Sequence, residues 1–291
     1  MTPRPPKPAL PKPRLLAGKA IGVIGLGQIG GSIVRRLHDY RPAITLYGTD
    51  RNTRIAGRVR RYCRWSTTLD DMVRAVDTII LAVPVPEILT LLPQIAESVK
   101  RVGTRSLLVL DTGTLKHAVT KTAARHARQF EFVGLHPFCG NERNGWDSAR
   151  SSLFESQTIV CCAPQQKKSV KFATEFVRLL GGRILYMDPT THDRQIAVTI
   201  GLPHLLAFAA NALAKDVRLA PELVGGSWES LTRVAVSDPE MVAGFLGAQA
   251  PEQRRIIQEF KRLLDRIEHM IASGSDEQLR DALAHWQSPA K

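Results

Sequence analysis

The sequence predicts an α/β fold, a doubly wound parallel sheet with helices on both faces, followed by an all-α helical domain. Three observations carry this reading. Between residues 19 and 188, short continuous apolar runs alternate with helix-length spacers, as in strands buried on both faces. After about Asp188 the strand signals stop. Beyond that point apolar residues recur at helical period.

The first strand is expected at residues 19–24 (KAIGVI), and it opens into a helix over 30–37. Residues 44–48 (ITLYG) read as the second strand and 78–83 (TIILAV), stopped by Pro84, as the third. Residues 106–110 (SLLVL) read as the fourth, and 130–135, 158–162 and 183–187 follow at similar intervals. In the second half, residues 192–215, 220–235, 239–246 and 251–271 read as helices. The last carries Ile256, Ile257, Phe260, Leu263, Leu264, Ile267 and Ile271, an apolar face suited to a bundle or a subunit interface. No internal repeat interrupts this order. The division expected is an arm at 1–17, a sheet domain at 18–188 and a helical domain at 189–291.

At 291 residues the chain has room for two domains and buries enough surface to need no disulfide or metal staple. Hydrophobic residues at 44% and charged residues at 23% exclude a disordered chain or a collagen. No apolar run approaches the ~18 residues of a spanning helix, so no membrane segment is expected. Forty Lys+Arg against 27 Asp+Glu give +13, and the excess is uneven. Arg4, Lys7, Lys12, Arg14 and Lys19 stand among six prolines with no acid. This stretch reads as a disordered basic arm, without the apolar core of a signal peptide. The remaining charge suits an anionic small substrate, and no basic–aromatic motif supports a nucleic-acid partner. Cys63, Cys139, Cys161 and Cys162 form neither C-x-x-C nor a metal-ligand spacing, so a reduced, cytoplasmic chain without a metal is expected.

Gly25-Leu26-Gly27-Gln28-Ile29-Gly30 stands directly after the first strand and opens the first helix. Gly25 permits the tight turn, Gly27 lets a pyrophosphate approach the backbone, and Gly30 lets helix and strand pack closely. The helix start offers unpaired N–H groups and partial positive charge to phosphates. Asp50 ends the second strand, 20 residues past Gly30, where an acid accepts from the ribose hydroxyls of NAD. Its charge would repel the 2′-phosphate of NADP, although Arg51 and Arg54 follow at once and are the type of residue that holds such a phosphate. NAD is the expected cofactor, with NADP second.

Four further stretches join GVIGLGQIGGS to point to a family. They are DTGTLKHAV at 111–119, GLHPFCGNERNGWDSARSSLF at 134–154, HDRQIAVTIGLPH at 192–204 and LTRVAVSDP at 231–239. With these the chain resembles the prephenate and arogenate (cyclohexadienyl) dehydrogenases of tyrosine biosynthesis, over nearly everything after the arm. The resemblance implies a Rossmann-type domain followed by a helical domain that dimerises. It implies oxidative decarboxylation, in which hydride leaves the hydroxyl-bearing ring carbon for the nicotinamide and carbon dioxide departs as the ring becomes aromatic. His136 matches the catalytic histidine, which accepts the proton of the substrate's 4-hydroxyl. An imidazole with a pKa near 6.5 suits that task.

Thr114 stands where the family usually carries a serine that contacts the histidine and the cofactor region; the other reading is a helix cap. Lys116 reads as a surface charge. Glu142 matches an acid that helps hold the substrate pocket closed. Asn141 lies beside the position that reads the substrate's side chain, where many relatives carry threonine. His204 matches the second histidine of a Ser-His-Leu-Pro-His stretch and lines the pocket or is structural. Arg233 matches the arginine that grips the ring carboxylate, and Val234-Ala235-Val236 imply a partly buried helix there. The first histidine of the Leu-Pro-His stretch is replaced by Gly201, and Ser230 replaces an acid. Alternatives are the 4-amino analogue of prephenate as substrate, a 3-hydroxyacid or imine-reducing enzyme, and a non-catalytic dinucleotide-binding regulator whose basic arm holds nucleic acid.

Overall fold

The computed structural model describes residues 16–39, 44–104, 106–140, 145–162, 167–217 and 219–287. Residues 1–15 of the expected arm lie outside these. The first half runs β1 (Ala20–Ile24), α1 (Gln28–Asp39), β2 (Thr45–Thr49), α2 (Ala56–Val59), β3 (Arg64–Trp65), α3 (Leu69–Ala75) and β4 (Thr78–Leu81). It continues through α4 (Val85–Val102), β5 (Leu108–Asp111), α5 (His117–Ala124), β6 (Glu131–Pro137), β7 (Thr158–Cys162), α6 (Lys167–Leu180) and β8 (Arg183–Tyr186).

These strands form one eight-stranded sheet in the order β3-β2-β1-β4-β5-β6-β7-β8. Apolar side chains on its two faces explain the helices packed there. Ile33, Val34 and Leu37 of α1 and Phe172, Phe176 and Val177 of α6 close one face. Met72 of α3, Ile88, Leu92 and Ile95 of α4, and Val119 of α5 close the other. Each such side chain contributes about 1.5–3 kcal/mol on burial.

Two features depart from the expected sheet. β3 has only two residues, too few to leave a run in the sequence. β7 runs antiparallel to β6, with His136 opposite Val160, although the neighbouring pairs are parallel. The reason lies in the connection. A parallel return needs a crossover, usually a helix, and the described part of 138–157 holds only a 3₁₀ turn at Trp146–Ser148.

The sheet gives way to helices at Asp188, whose side chain accepts from the Thr190 and Thr191 N–H groups, with Pro189 in the first turn. α7 (Pro189–Ile196) enters a π turn at Ala197–Gly201 and continues as α8 (Leu202–Val217). The single helix expected over 220–235 is broken at Gly225-Gly226. It becomes a 3₁₀ turn at Pro221–Leu223, α9 (Gly226–Thr232) and a second 3₁₀ turn at Arg233–Val236. α10 (Pro239–Ala248) and α11 (Ala250–Ala272) follow, and then α12 (Asp276–Trp286), a helix beyond those the sequence pattern marks.

One helix corrects the expectation about apolar length. Pro189–Val217 runs 29 residues and is long and apolar enough to cross a membrane by length and composition. The run is easily missed because Thr199, Pro203, His204 and Asn211 interrupt it without adding a formal charge. Only 22% of its most apolar window is buried within the chain. On α11 only Ile256 of the expected face is buried, while Leu264 and Ile271 are 47% and 63% exposed. The helical half therefore presents apolar surface outward.

Candidate active site

The glycine loop between β1 and α1 has the shape its sequence implies. Gly25 takes φ +89°, and a Cβ there would lie 2.5 Å from the Ala82 carbonyl. A Cβ on Gly30 would lie 1.9 Å from the Gly25 carbonyl. At Gly27 a Cβ would meet nothing within 4 Å, so the loop leaves open space where a phosphate must approach. Gln28 begins α1, Ile29 packs on the core, and a Cβ on Gly140 would come within 2.7 Å of Gln28 Oε1. The segment after β6 thus reaches the helix start.

Asp50 follows β2 directly. The Leu26 N–H donates to its Oδ2 at 2.6 Å and the Asn52 N–H to its Oδ1 at 2.8 Å. Each carboxylate oxygen has a second lone pair, which leaves acceptor capacity beside the glycine loop. These features fit a dinucleotide. Arg51, 79% exposed in its side chain, pairs with Glu87 of α4 at 3.2 Å.

His136 sits on β6 and is 6% exposed. Its Nδ1 lies 3.0 Å from Nε2 of His192 on α7, and His192 Nδ1 lies 2.7 Å from Asp193 Oδ1. Burial first, then the positive charge of Lys116 and the neighbouring His192, hold His136 well below the usual histidine range. It is therefore a neutral base at physiological pH.

Lys116 corrects the expectation of a surface charge. It is fully buried and paired with the equally buried Asp111 at the end of β5. Gly134 makes this possible, since a Cβ there would lie 3.0 Å from the lysine stem and 3.3 Å from the Asp111 carboxylate. Burial pushes the Asp111 carboxyl up and Lys116 opposes that shift. Thr114 lies half-buried in the loop before α5 and is not its cap. The cap position is Lys116, and the Asp193 carboxylate receives the Lys116 and His117 N–H groups at 2.8 and 2.9 Å.

Two other expected residues, His204 and Arg233, come from the helical half and are not in the wall of the cleft beside His192. His204 on α8 donates from Nδ1 to the Ile200 carbonyl at 2.8 Å and meets the Phe245 ring edge-on. Arg233 is exposed rather than partly buried, in the turn that packs against α8. The apolar triplet after it does not bury a helix face, because it is a 3₁₀ turn with Val236 67% exposed. At Gly201 the missing side chain is filled from α11, since a Cβ would lie 2.0 Å from Gln253 Nε2. Asn141 and Glu142 lie outside the described residues. A cleft of about 360 Å³ opens beside the cluster, with His192, Phe138, Val160, Leu185, Arg183 and Gln195 in its wall. His192, Asp193, Lys116 and Asp111 are the residues that sequence reasoning leaves without a role. Their only signal is position inside matched stretches, with no spacing rule to mark them.

Comparison with known proteins yields two matching family models. One, prephenate dehydrogenase, nucleotide-binding domain, matches residues 33–186; the other, prephenate dehydrogenase, dimerization domain, matches residues 188–285. A cyclohexadienyl dehydrogenase of Zymomonas mobilis subsp. mobilis is 28% identical over 283 residues, 94% of each chain. A prephenate dehydrogenase of Lactococcus lactis subsp. cremoris is 30% identical over 261 residues, 86% of this chain and 70% of its own. Among solved structures, prephenate dehydrogenase from A. aeolicus in complex with hydroxyphenyl propionate and NAD+ superposes with a TM-score of 0.81 at 24% identity, covering 92% of this chain and 96% of that one.

Proposed function

The chain belongs to the prephenate dehydrogenase family, and on that premise we propose that it oxidises prephenate or arogenate with NAD, releasing carbon dioxide and giving 4-hydroxyphenylpyruvate or tyrosine. The observation that carries this reading is His136, a buried neutral imidazole at the end of β6, on a strand whose following segment reaches the glycine loop. When bound, the dinucleotide supplies the hydride acceptor. The chain supplies the rest. The open space over Gly27 and the N–H groups at the start of α1 receive the pyrophosphate, and Asp50 accepts from the ribose hydroxyls. His136 takes the proton of the 4-hydroxyl, with the Thr114 hydroxyl in the adjacent loop orienting the ring. Arg233 holds the ring carboxylate, while Asn141, Glu142 and His204 line the substrate.

In this reading residues 18–188 bind the nucleotide, and 189–291 bind substrate and a second copy. The outward apolar faces of α8 and α11 support that assignment, as burying them in a homodimer removes them from water. A cytoplasmic location accords with four free cysteines.

The test is to mix the protein with prephenate, arogenate or the 4-amino analogue and follow cofactor reduction. NAD is expected to give higher kcat/KM than NADP, because a 2′-phosphate would meet the Asp50 carboxylate. Reduction with none of the ring compounds would end the proposal. A preference for NADP would instead make Arg51 or Arg54 the reader of a phosphate.

Arg233→Ala is expected to raise the substrate KM at least about tenfold and leave cofactor affinity unchanged, since a charged hydrogen bond contributes about 1.5–3 kcal/mol. Lysine should rescue only partly, because it lacks the paired N–H fork. Unchanged substrate affinity in the alanine variant would move the carboxylate clamp elsewhere.

A further inference from the structure

We propose that His192 and Asp193 are positioning residues for His136, a hydrogen-bonded relay that fixes which imidazole nitrogen is free to accept the substrate's proton. The inference rests on the reading of His136 as the proton acceptor.

The chain of bonds starts at the carboxylate. An ionised Asp only accepts hydrogen bonds, and Asp193 is fixed by two backbone donors, the Lys116 and His117 N–H groups at the start of α5. His192 Nδ1, 2.7 Å from Asp193 Oδ1, must therefore carry a proton and donate it. In neutral His192 the other nitrogen, Nε2, is then bare. It lies 3.0 Å from His136 Nδ1, so His136 must donate from Nδ1. That leaves Nε2 of His136 as the unprotonated, accepting nitrogen. A histidine's tautomer is set by the bond its other nitrogen makes, and here the bond is chosen two residues away along the relay.

The relay also places the charge that catalysis creates. The charged or titratable groups acting on His136 are Lys116, from the loop after β5, and His192, from α7. Asp111 pairs with the first and Asp193 with the second, and Cys162 of β7 stands opposite Gly134, two residues back along the strand. The Cys162 thiol is pushed up to about 12 by burial and stays neutral. The Lys116 charge opposes a second cation nearby, and Asp111 offsets it only in part. When a proton enters at His136 Nε2, the Nδ1 proton passes to His192 Nε2. One proton arrives and one leaves, so His136 returns to neutral and the charge rests on His192 against Asp193. No electron changes hands.

The test uses the full chain labelled with ¹⁵N-histidine, without substrate. Nitrogen shifts should show His136 protonated at Nδ1 in the wild type and at Nε2 in His192→Phe. In turnover, His192→Phe should lose at least about tenfold in kcat, part of the 10²–10⁴ a positioned base contributes. Cofactor KM should stay constant. His192→Gln, whose Oε1 accepts from His136 Nδ1, should keep the tautomer and recover part of kcat. A wild-type His136 protonated at Nε2 would overturn the relay, as would equal loss in the Gln and Phe variants. The nitrogen spectrum is read without turnover, so a chain inactive on every ring compound would still show which His136 nitrogen carries the proton.

Discussion

His136→Asn is expected to lower kcat by about 10²–10⁴-fold while leaving substrate affinity largely intact. Asparagine keeps a hydrogen-bonding group of similar reach but cannot accept a proton at pH 7. Single-turnover measurement of cofactor reduction separates the two effects. A variant retaining more than about a tenth of wild-type kcat would remove His136 from the chemistry. The wild-type pH profile belongs to the same expectation. His136 is held well below 6.5, so kcat/KM should persist to acid pH below the ordinary histidine range and fall only as the folded group protonates. Stability moves differently. Below pH 6.5 the unfolded chain binds a proton that the folded chain refuses, so this group's contribution declines as pH drops from there toward the folded value.

Lys116→Met is expected to destabilise the chain more than either His136→Asn or Arg233→Ala. It strands the Asp111 carboxylate in a site with no access to water, and breaking a buried pair typically costs about 3–5 kcal/mol. Urea denaturation would measure this as a lower midpoint. The double variant Lys116→Met/Asp111→Leu should recover much of the loss, since an apolar pair of similar volume removes the stranded charge. If the single variant unfolds at the wild-type midpoint, the two charges are not sealed from water in solution. Loss of the lysine charge should also let His136 titrate closer to 6.5 and move the acid limb of kcat/KM upward.

The residues legible in the sequence are those whose role depends on neighbours along the chain. The glycine loop is one, because its turn, its open position at Gly27 and its helix start lie within six residues. The apolar strands are another. What the sequence hides depends on distant partners. The direction of β7 is set by a connection without a crossover helix, and the run TIVCC reads the same either way. Lys116 reads as a surface charge because its burial requires Asp111 on one strand and a missing side chain at Gly134 on another. His192 is visible inside a matched stretch, but its partner His136 is 56 residues away. Arg233 is expected in a half-buried helix, which the apolar triplet suggests and the 3₁₀ turn does not form.

The π turn at Ala197–Gly201 changes the rotational phase of the helix that carries both motif histidines of the second half. In it the Leu202 N–H reaches back five residues to the Ala197 carbonyl. His192 and His204 are 12 residues apart. At about 100° per residue, an unbroken α-helix would leave them about 120° apart around the axis. The widened turn absorbs about one residue, so the angular count becomes about eleven and the offset about 20°. One added residue thus brings His204 to nearly the same azimuth as His192, about three turns further along. A single widened turn thereby sets the side of the helix from which His204 leaves relative to His192.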